Sequence, residues 1–176
     1  MMETQRLTLA PCTEQHIAEL MGWFLSATEC RQWGGPPFRY PFDTRSFAED
    51  SQWSNHPSFV LLDAGGAMQA FGQYYNRLDH CHLSRLVVAP SARRRGVGEQ
   101  LIRNLVAHGC DALKVERISL FVLQSNPAAR ALYEKMGFRL ADYPEPGDWL
   151  AGCDYLTVPA RKILYGNRHP TRELER

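Results

Sequence analysis

One stretch narrows the folds open to this chain more than any other. The apolar run Leu86-Val87-Val88-Ala89-Pro90 leads directly into Arg93-Arg94-Arg95-Gly96-Val97-Gly98, and Leu101, Ile102, Leu105 and Val106 then recur at helical spacing. A short apolar run reads as a strand covered on both faces, and the later periodicity reads as an amphipathic helix persisting to about Ala112. The glycine loop therefore joins a strand to a helix. Glycines at alternate positions let successive backbone N–H groups curl into a concave nest, which the free donors and positive dipole end of the helix extend. A loop of this kind at the end of a strand suits the pyrophosphate of a nucleotide-type ligand. A G-x-G alone, or a run of three arginines alone, is weak evidence; its place between strand and helix gives it weight.

A second segment stands about thirty residues on. Ile118-Ser119-Leu120-Phe121-Val122-Leu123 is apolar on both faces and reads as another sandwiched strand. Asn126 is a good N-cap, Pro127 fits the first helical turn and Gly137 is a good stop, so a helix is expected over roughly Pro127 to Met136. Upstream, Arg6 to Ala10 alternates as a first strand, followed by a helix carrying Ile17, Leu20, Met21 and Phe24. From Trp33 to Trp53 the chain is rich in aromatics, Gly and Pro, which predicts an irregular lid with a short helix capped near Asp43 or Thr44. Phe59 to Leu62 and Met68 to Tyr75 flank a Gly-containing hairpin loop, and a further strand is expected from about Cys81 to Val88. Phe138 to Tyr143 and Tyr155 to Leu164 are the last candidate strands, although Pro159 sits awkwardly in the second.

With 176 residues, 44% of them hydrophobic, one domain with a real core is expected over residues 1–166, leaving 167–176 as a polar tail. Twenty Lys and Arg against nineteen Asp and Glu give a net charge of +1, which removes the electrostatic case for nucleic acid or anionic membrane as a main partner. Cys12, Cys30, Cys81, Cys110 and Cys153 are scattered and form no C-x-x-C, so neither a metal site nor a disulfide framework is indicated. No run reaches the ~18 apolar residues of a membrane span, and none resembles a leader. A cytoplasmic protein is expected.

The order of elements, the R-x-x-G-x-G loop and the N-x-x-A-x-x-L-Y-x-x-x-G-F run resemble the GNAT superfamily of N-acetyltransferases. The pattern is carried by Arg93, Gly96, Gly98, Asn126, Ala129, Leu132, Tyr133, Gly137 and Phe138. The resemblance implies a three-layer α/β fold with a mixed, mostly antiparallel sheet and helices on both faces. It also implies acetyl-CoA as cosubstrate, with the strand ending at Val88 bulged and splayed from its neighbour so that the ligand lies in the notch. Leu86, Val87 and Val88 would then offer backbone groups to the pantetheine and the acetyl carbonyl, with the Val88 N–H as an oxyanion donor. Arg93, Arg94, Arg95, Gly96, Val97 and Gly98 would hold the pyrophosphate, Glu99 and Tyr133 would belong to the same cofactor site, and Asn126 and Ala129 would line the pantetheine arm. Tyr133 would be the general acid toward the departing thiolate, since a phenol with a pKa near 10 is protonated at neutral pH.

By the same resemblance the base is His82, eleven residues before Arg93, where some members carry Glu or His. His80 and Ser84 would share its face of the strand. Phe121 occupies the place of a glutamate base found in other members. The expected acceptor is a small-molecule or peptide amine, attacked directly rather than through Cys81, and a homodimer is a fair expectation. Trp33 and Phe38 are candidate acceptor walls, with Glu29, Asp43, Glu49 and Asp50 to draw a cationic amine. Against this stand blander readings: a helix tyrosine that only packs, a half-buried strand histidine, an aromatic cluster that is all core, and an acyl-CoA sensor without turnover.

Overall fold

A computed structural model describes residues 5–145 and 147–166, so the expected tail at 167–176 lies outside the described residues. Seven strands form one sheet: β1 (Thr8–Pro11), β2 (Ser58–Leu62), β3 (Met68–Arg77), β4 (His80–Val88), β5 (Arg117–Leu123), β6 (Arg139–Leu140) and β7 (Cys153–Pro159). Their order is β1-β2-β3-β4-β5-β7-β6, and every neighbouring pair is antiparallel except β4 and β5. Among the described residues six α-helices accompany them: α1 (Glu14–Met21), α2 (Ala27–Gly34), α3 (Thr44–Ser51), α4 (Val97–Leu113), α5 (Pro127–Lys135) and α6 (Ala160–Tyr165).

Strand alternation sorts the core into two layers. On β2, Phe59 and Leu61 join the cluster built on α4, with Leu101, Ile102, Leu105 and Val106, while Val60 joins the opposite cluster with Ile17, Leu20, Phe38 and Phe47 of the N-terminal segment. Side chains two apart share a face, so one strand serves both layers and helices cover both faces. Removing one of the central α4 leucines, such as fully buried Leu105, would cost about 2–5 kcal/mol.

The N-terminal segment is more regular than its composition implies. α3 starts where expected, with the Asp43 side chain accepting from the Ser46 N–H at 2.8 Å. α2, which the sequence reading passed over, buries only Cys30, too few apolar positions to leave a helical stripe. The C-terminal strand is also shorter than expected. Pro159 has no N–H to pair, so β7 ends there and Ala160 to Leu164 belongs to α6 rather than to a strand. Of the Phe138–Tyr143 run only Arg139 and Leu140 form strand β6, and the Ala141 N–H extends the contact by donating to the Tyr155 carbonyl at 2.9 Å.

Candidate active site

β4 and β5 pair through Cys81 with Ile118 and His82 with Ser119 and then separate, although β4 runs on to Val88. On its other edge β4 slips against β3: Gln73 pairs with Ser84 but Phe71 with Val87, and Arg85 takes a φ of 49°. Two residues of β4 are thus accommodated opposite one of β3, a bulge whose left-handed residue bends the strand away from β5. The notch holds two adjoining cavities that share Gln32, Trp33, Leu86, Asn126 and Ala129 on their walls.

The larger cavity, about 700 Å³, runs past the glycine loop. Gly96 is the N-cap of α4 at φ 74°, and a Cβ there would meet nothing within 4 Å, so the backbone faces open space. Gly98 is a close approach: a Cβ would stand 3.1 Å from Leu132 Cδ2, at the contact that seats α4 against α5. Leu86, Val87, Val88, Arg93, Arg94, Gly96, Val97, Gly98, Glu99, Asn126 and Ala129 all line this cavity. Arg95 is exposed and does not line it. The Glu99 carboxylate is engaged by Lys135 Nζ at 2.6 Å, so at this anion-shaped end Glu99 offers its helix-terminal N–H rather than a free negative charge. Asn126 caps α5, its Oδ1 accepting from the Ala129 N–H at 3.3 Å.

The smaller cavity, about 350 Å³, contains Tyr133 and His82 on its wall, with Ser84, Arg85, Tyr75, Phe121 and Trp149. Tyr133 is half-buried and burial pushes its phenol up to about 12, so it holds its proton throughout the neutral range. Among the described residues no protein group bonds its hydroxyl. His82 is 2% exposed, shares a 2.8 Å hydrogen bond between Nδ1 and Ser119 Oγ, and meets the Phe121 ring at 4.9 Å. Burial, with the nearby Arg77 and His80, lowers its pKa to about 3. The titration near 6.5 expected of an ordinary imidazole therefore does not apply. His80 lies outside both cavities, its Nδ1 2.6 Å from the Leu78 carbonyl.

The acceptor wall differs from expectation in kind. Trp33 does line the notch, and its Nε1–H donates to the Arg85 carbonyl at 2.8 Å, tying α2 to the bulge. Phe38 is 2% exposed and packs in the aromatic core with Trp33, Phe42 and Phe47. Asp43, Glu49 and Asp50 line neither cavity, because Asp43 is spent on capping α3 and Arg39 binds Glu49 at 2.8 Å and Asp50 at 2.8 Å. Glu29 lines the larger cavity only, and its carboxylate accepts from the Leu25 N–H. Residues that the sequence reading missed, Tyr75, Arg85 and Trp149, come from β3, from the bulge and from the turn before β7. Only the bulge brings Arg85 into the site, and plain alternation gave no sign of it.

Residues 27–138 match the acetyltransferase (GNAT) family. The chain is 33% identical over 102 residues to the [ribosomal protein bS18]-alanine N-acetyltransferase of Escherichia coli K12, a match covering 58% of this chain and 67% of that one. It is 27% identical over 118 residues to the UPF0157 protein YqkA of Bacillus subtilis, of whose length it spans only 34%. Among solved structures, the spermidine N-acetyltransferase of Vibrio cholerae in complex with CoA and spermine superimposes with a TM-score of 0.67 at 19% identity, over 89% of this chain and 97% of that one. With the splayed parallel pair, the glycine cradle between strand and helix, and a family match across most of the folded chain, this protein belongs to the GNAT family of acetyltransferases.

Proposed function

We propose that the protein is an N-acetyltransferase that moves the acetyl group of acetyl-CoA to a primary amine by direct attack within a ternary complex. The observation that carries this reading is the pair of adjoining cavities, one ending in a backbone cradle and the other holding a protonated phenol, with Leu86, Asn126 and Ala129 common to both. The cradle's N–H groups and the positive end of α4 suit a pyrophosphate, and the open edge of β4 beyond His82 suits the amide groups of a pantetheine. The larger cavity is of the size that a cofactor-length ligand needs.

The amine nitrogen bonds to the acetyl carbon, the carbon–sulfur bond breaks, and the departing sulfur takes the Tyr133 proton. The nitrogen gives up one proton, which restores the phenol, so N-acetylamine and free CoA thiol leave with all atoms accounted for. Holding the acceptor beside the thioester supplies most of the remaining advantage by orientation. With its pKa near 3, His82 acts as a neutral hydrogen-bonding wall rather than a proton store, so the amine must enter uncharged or lose its proton to water. A GNAT relative described as acting on a ribosomal-protein alanine and a structural neighbour bound to CoA and spermine support an amine acceptor.

The experiment is free-thiol release from acetyl-CoA against a panel of primary amines, with the acetylated product identified by mass. Release that depends on protein and amine together is expected. CoA binding without any amine-dependent release would leave an acyl-CoA sensor instead.

A further inference from the structure

The Arg85 guanidinium lines the smaller cavity without a carboxylate to answer it. Its Nη1 donates to Gln73 Oε1 at 3.1 Å and its Nη2 to the Asp50 backbone carbonyl at 3.0 Å, while buried Nε has no partner among the described residues. Fully buried Gln73 is itself fixed, because its Nε2 donates to the Ser51 carbonyl and to Ser58 Oγ, each at 3.0 Å, leaving Oε1 for Arg85. The nearby Asp50 carboxylate is taken by Arg39, whose Nε and Nη2 lie 3.0 and 2.8 Å from its oxygens. The adjacent Ser84 Oγ is also buried and unpartnered. A buried cation bonded only to neutral groups is expensive, and so is each unanswered polar atom beside it.

A second guanidinium stands behind the aromatic wall. Arg77 sits 5.0 Å from the Phe121 ring centroid and 5.4 Å from that of Trp149, and donates to the hydroxyls of Tyr75 and Tyr143. Among the described residues neither arginine is paired with a carboxylate, and no Asp or Glu lines the smaller cavity. A polyamine, whose further ammonium groups need acidic partners, would meet positive charge here.

Building on the acetyltransferase reading, we propose that the acceptor is an amino acid type molecule, an amine that also bears a carboxylate, and that Arg85 receives the carboxylate through the Nη hydrogens that Gln73 and the Asp50 carbonyl leave over, while Tyr75, Phe121 and Trp149 cover its apolar body. Arginine's planar fork matches a carboxylate, and satisfying a buried charge gives discrimination that apolar contact cannot.

The test is binding first and turnover second. The protein saturated with CoA is titrated with the natural amino acids, with the same amino acids as carboxamides, and with spermidine. At least one free amino acid should bind about 30-fold or more tightly than its carboxamide, the usual loss when a buried charge loses its partner. Arg85→Gln should erase that preference at unchanged CoA affinity, and Arg85→Lys should restore part of it. Carboxamides or spermidine binding as well as every free amino acid would overturn the proposal, as would a preference that survives in Arg85→Gln. Because binding is read without chemistry, the carboxylate preference stands or falls separately from thiol release, the test of acetyl transfer.

Discussion

The two halves of the notch are made of different material. The cradle half is mostly backbone: a φ of 74° at Gly96, a close approach at Gly98, the first turn of α4 and the open edge of β4. The acceptor half is mostly side chain: Tyr75 from β3, His82, Ser84 and Arg85 from β4, Phe121 from β5, Tyr133 from α5 and Trp149 from the turn before β7. Backbone geometry is dictated locally by residue types such as glycine, so one short motif fixes it. A wall of side chains from five places is fixed only once the fold has formed, and it is the half a family can vary while keeping its chemistry.

The largest effect that separates the halves belongs to Tyr133. Tyr133→Phe keeps the ring against Phe138 and removes one proton donor, so kcat should fall by about 10² to 10⁴ with CoA affinity unchanged. A parallel loss of CoA affinity would place the hydroxyl in the cradle half instead.

His82 makes the acceptor half pH-sensitive in stability rather than in rate. Its folded pKa lies below the unfolded value of 6.5, so below pH 6.5 the unfolded chain binds a proton that the folded ring refuses. Stability is fully present above 6.5 and is lost as pH falls toward 3, by up to about 1.4 kcal/mol per pH unit. Denaturant titrations should show a shallower loss for His82→Gln over that window, and His56, lowered by its own burial, keeps the same sign in both proteins. Correspondingly, kcat/KM should show no inflection near 6.5 that disappears in His82→Gln. Finding one would return the base role to this ring.

The smallest effect lies on the rim of the cradle. Arg95 is exposed and off the cavity wall, so Arg95→Ala should change CoA affinity by less than about 3-fold, as for other exposed charges. A large loss, measured by calorimetry at two salt concentrations, would mean that side-chain charge rather than backbone holds the phosphates.

The same division decides what the sequence let one read. The strand, glycine loop and helix from Leu86 to about Ala112, and the Asn126-capped helix, were legible because apolar period, N-cap and glycine stop agree over adjacent residues. The acceptor wall was not. Phe38 and Trp33 look alike in an aromatic, proline-rich run, yet the first is buried in the core and the second bonds to Arg85, a difference set by packing across fifty residues. Arg85 itself is hidden by the bulge, and the burial of His82 depends on Phe121 and Tyr75 crossing from neighbouring strands, which no local pattern shows. The Tyr155–Leu164 run misled differently: its apolar residues continue through Pro159 from β7 into α6, where the period changes.

On the proposed function, a backbone cradle at the start of α4 holds the CoA pyrophosphate. The direct measurement is a calorimetric titration of CoA into the parent and into Gly96→Asp, with near-ultraviolet circular dichroism to verify the fold. The substitution places a side chain and a negative charge in space now empty beside the helix N-terminus, at a φ that disfavours any side chain. The parent should bind CoA in the micromolar range, and the folded variant about 10²-fold or more weakly. Equal affinity in the two folded proteins would contradict it.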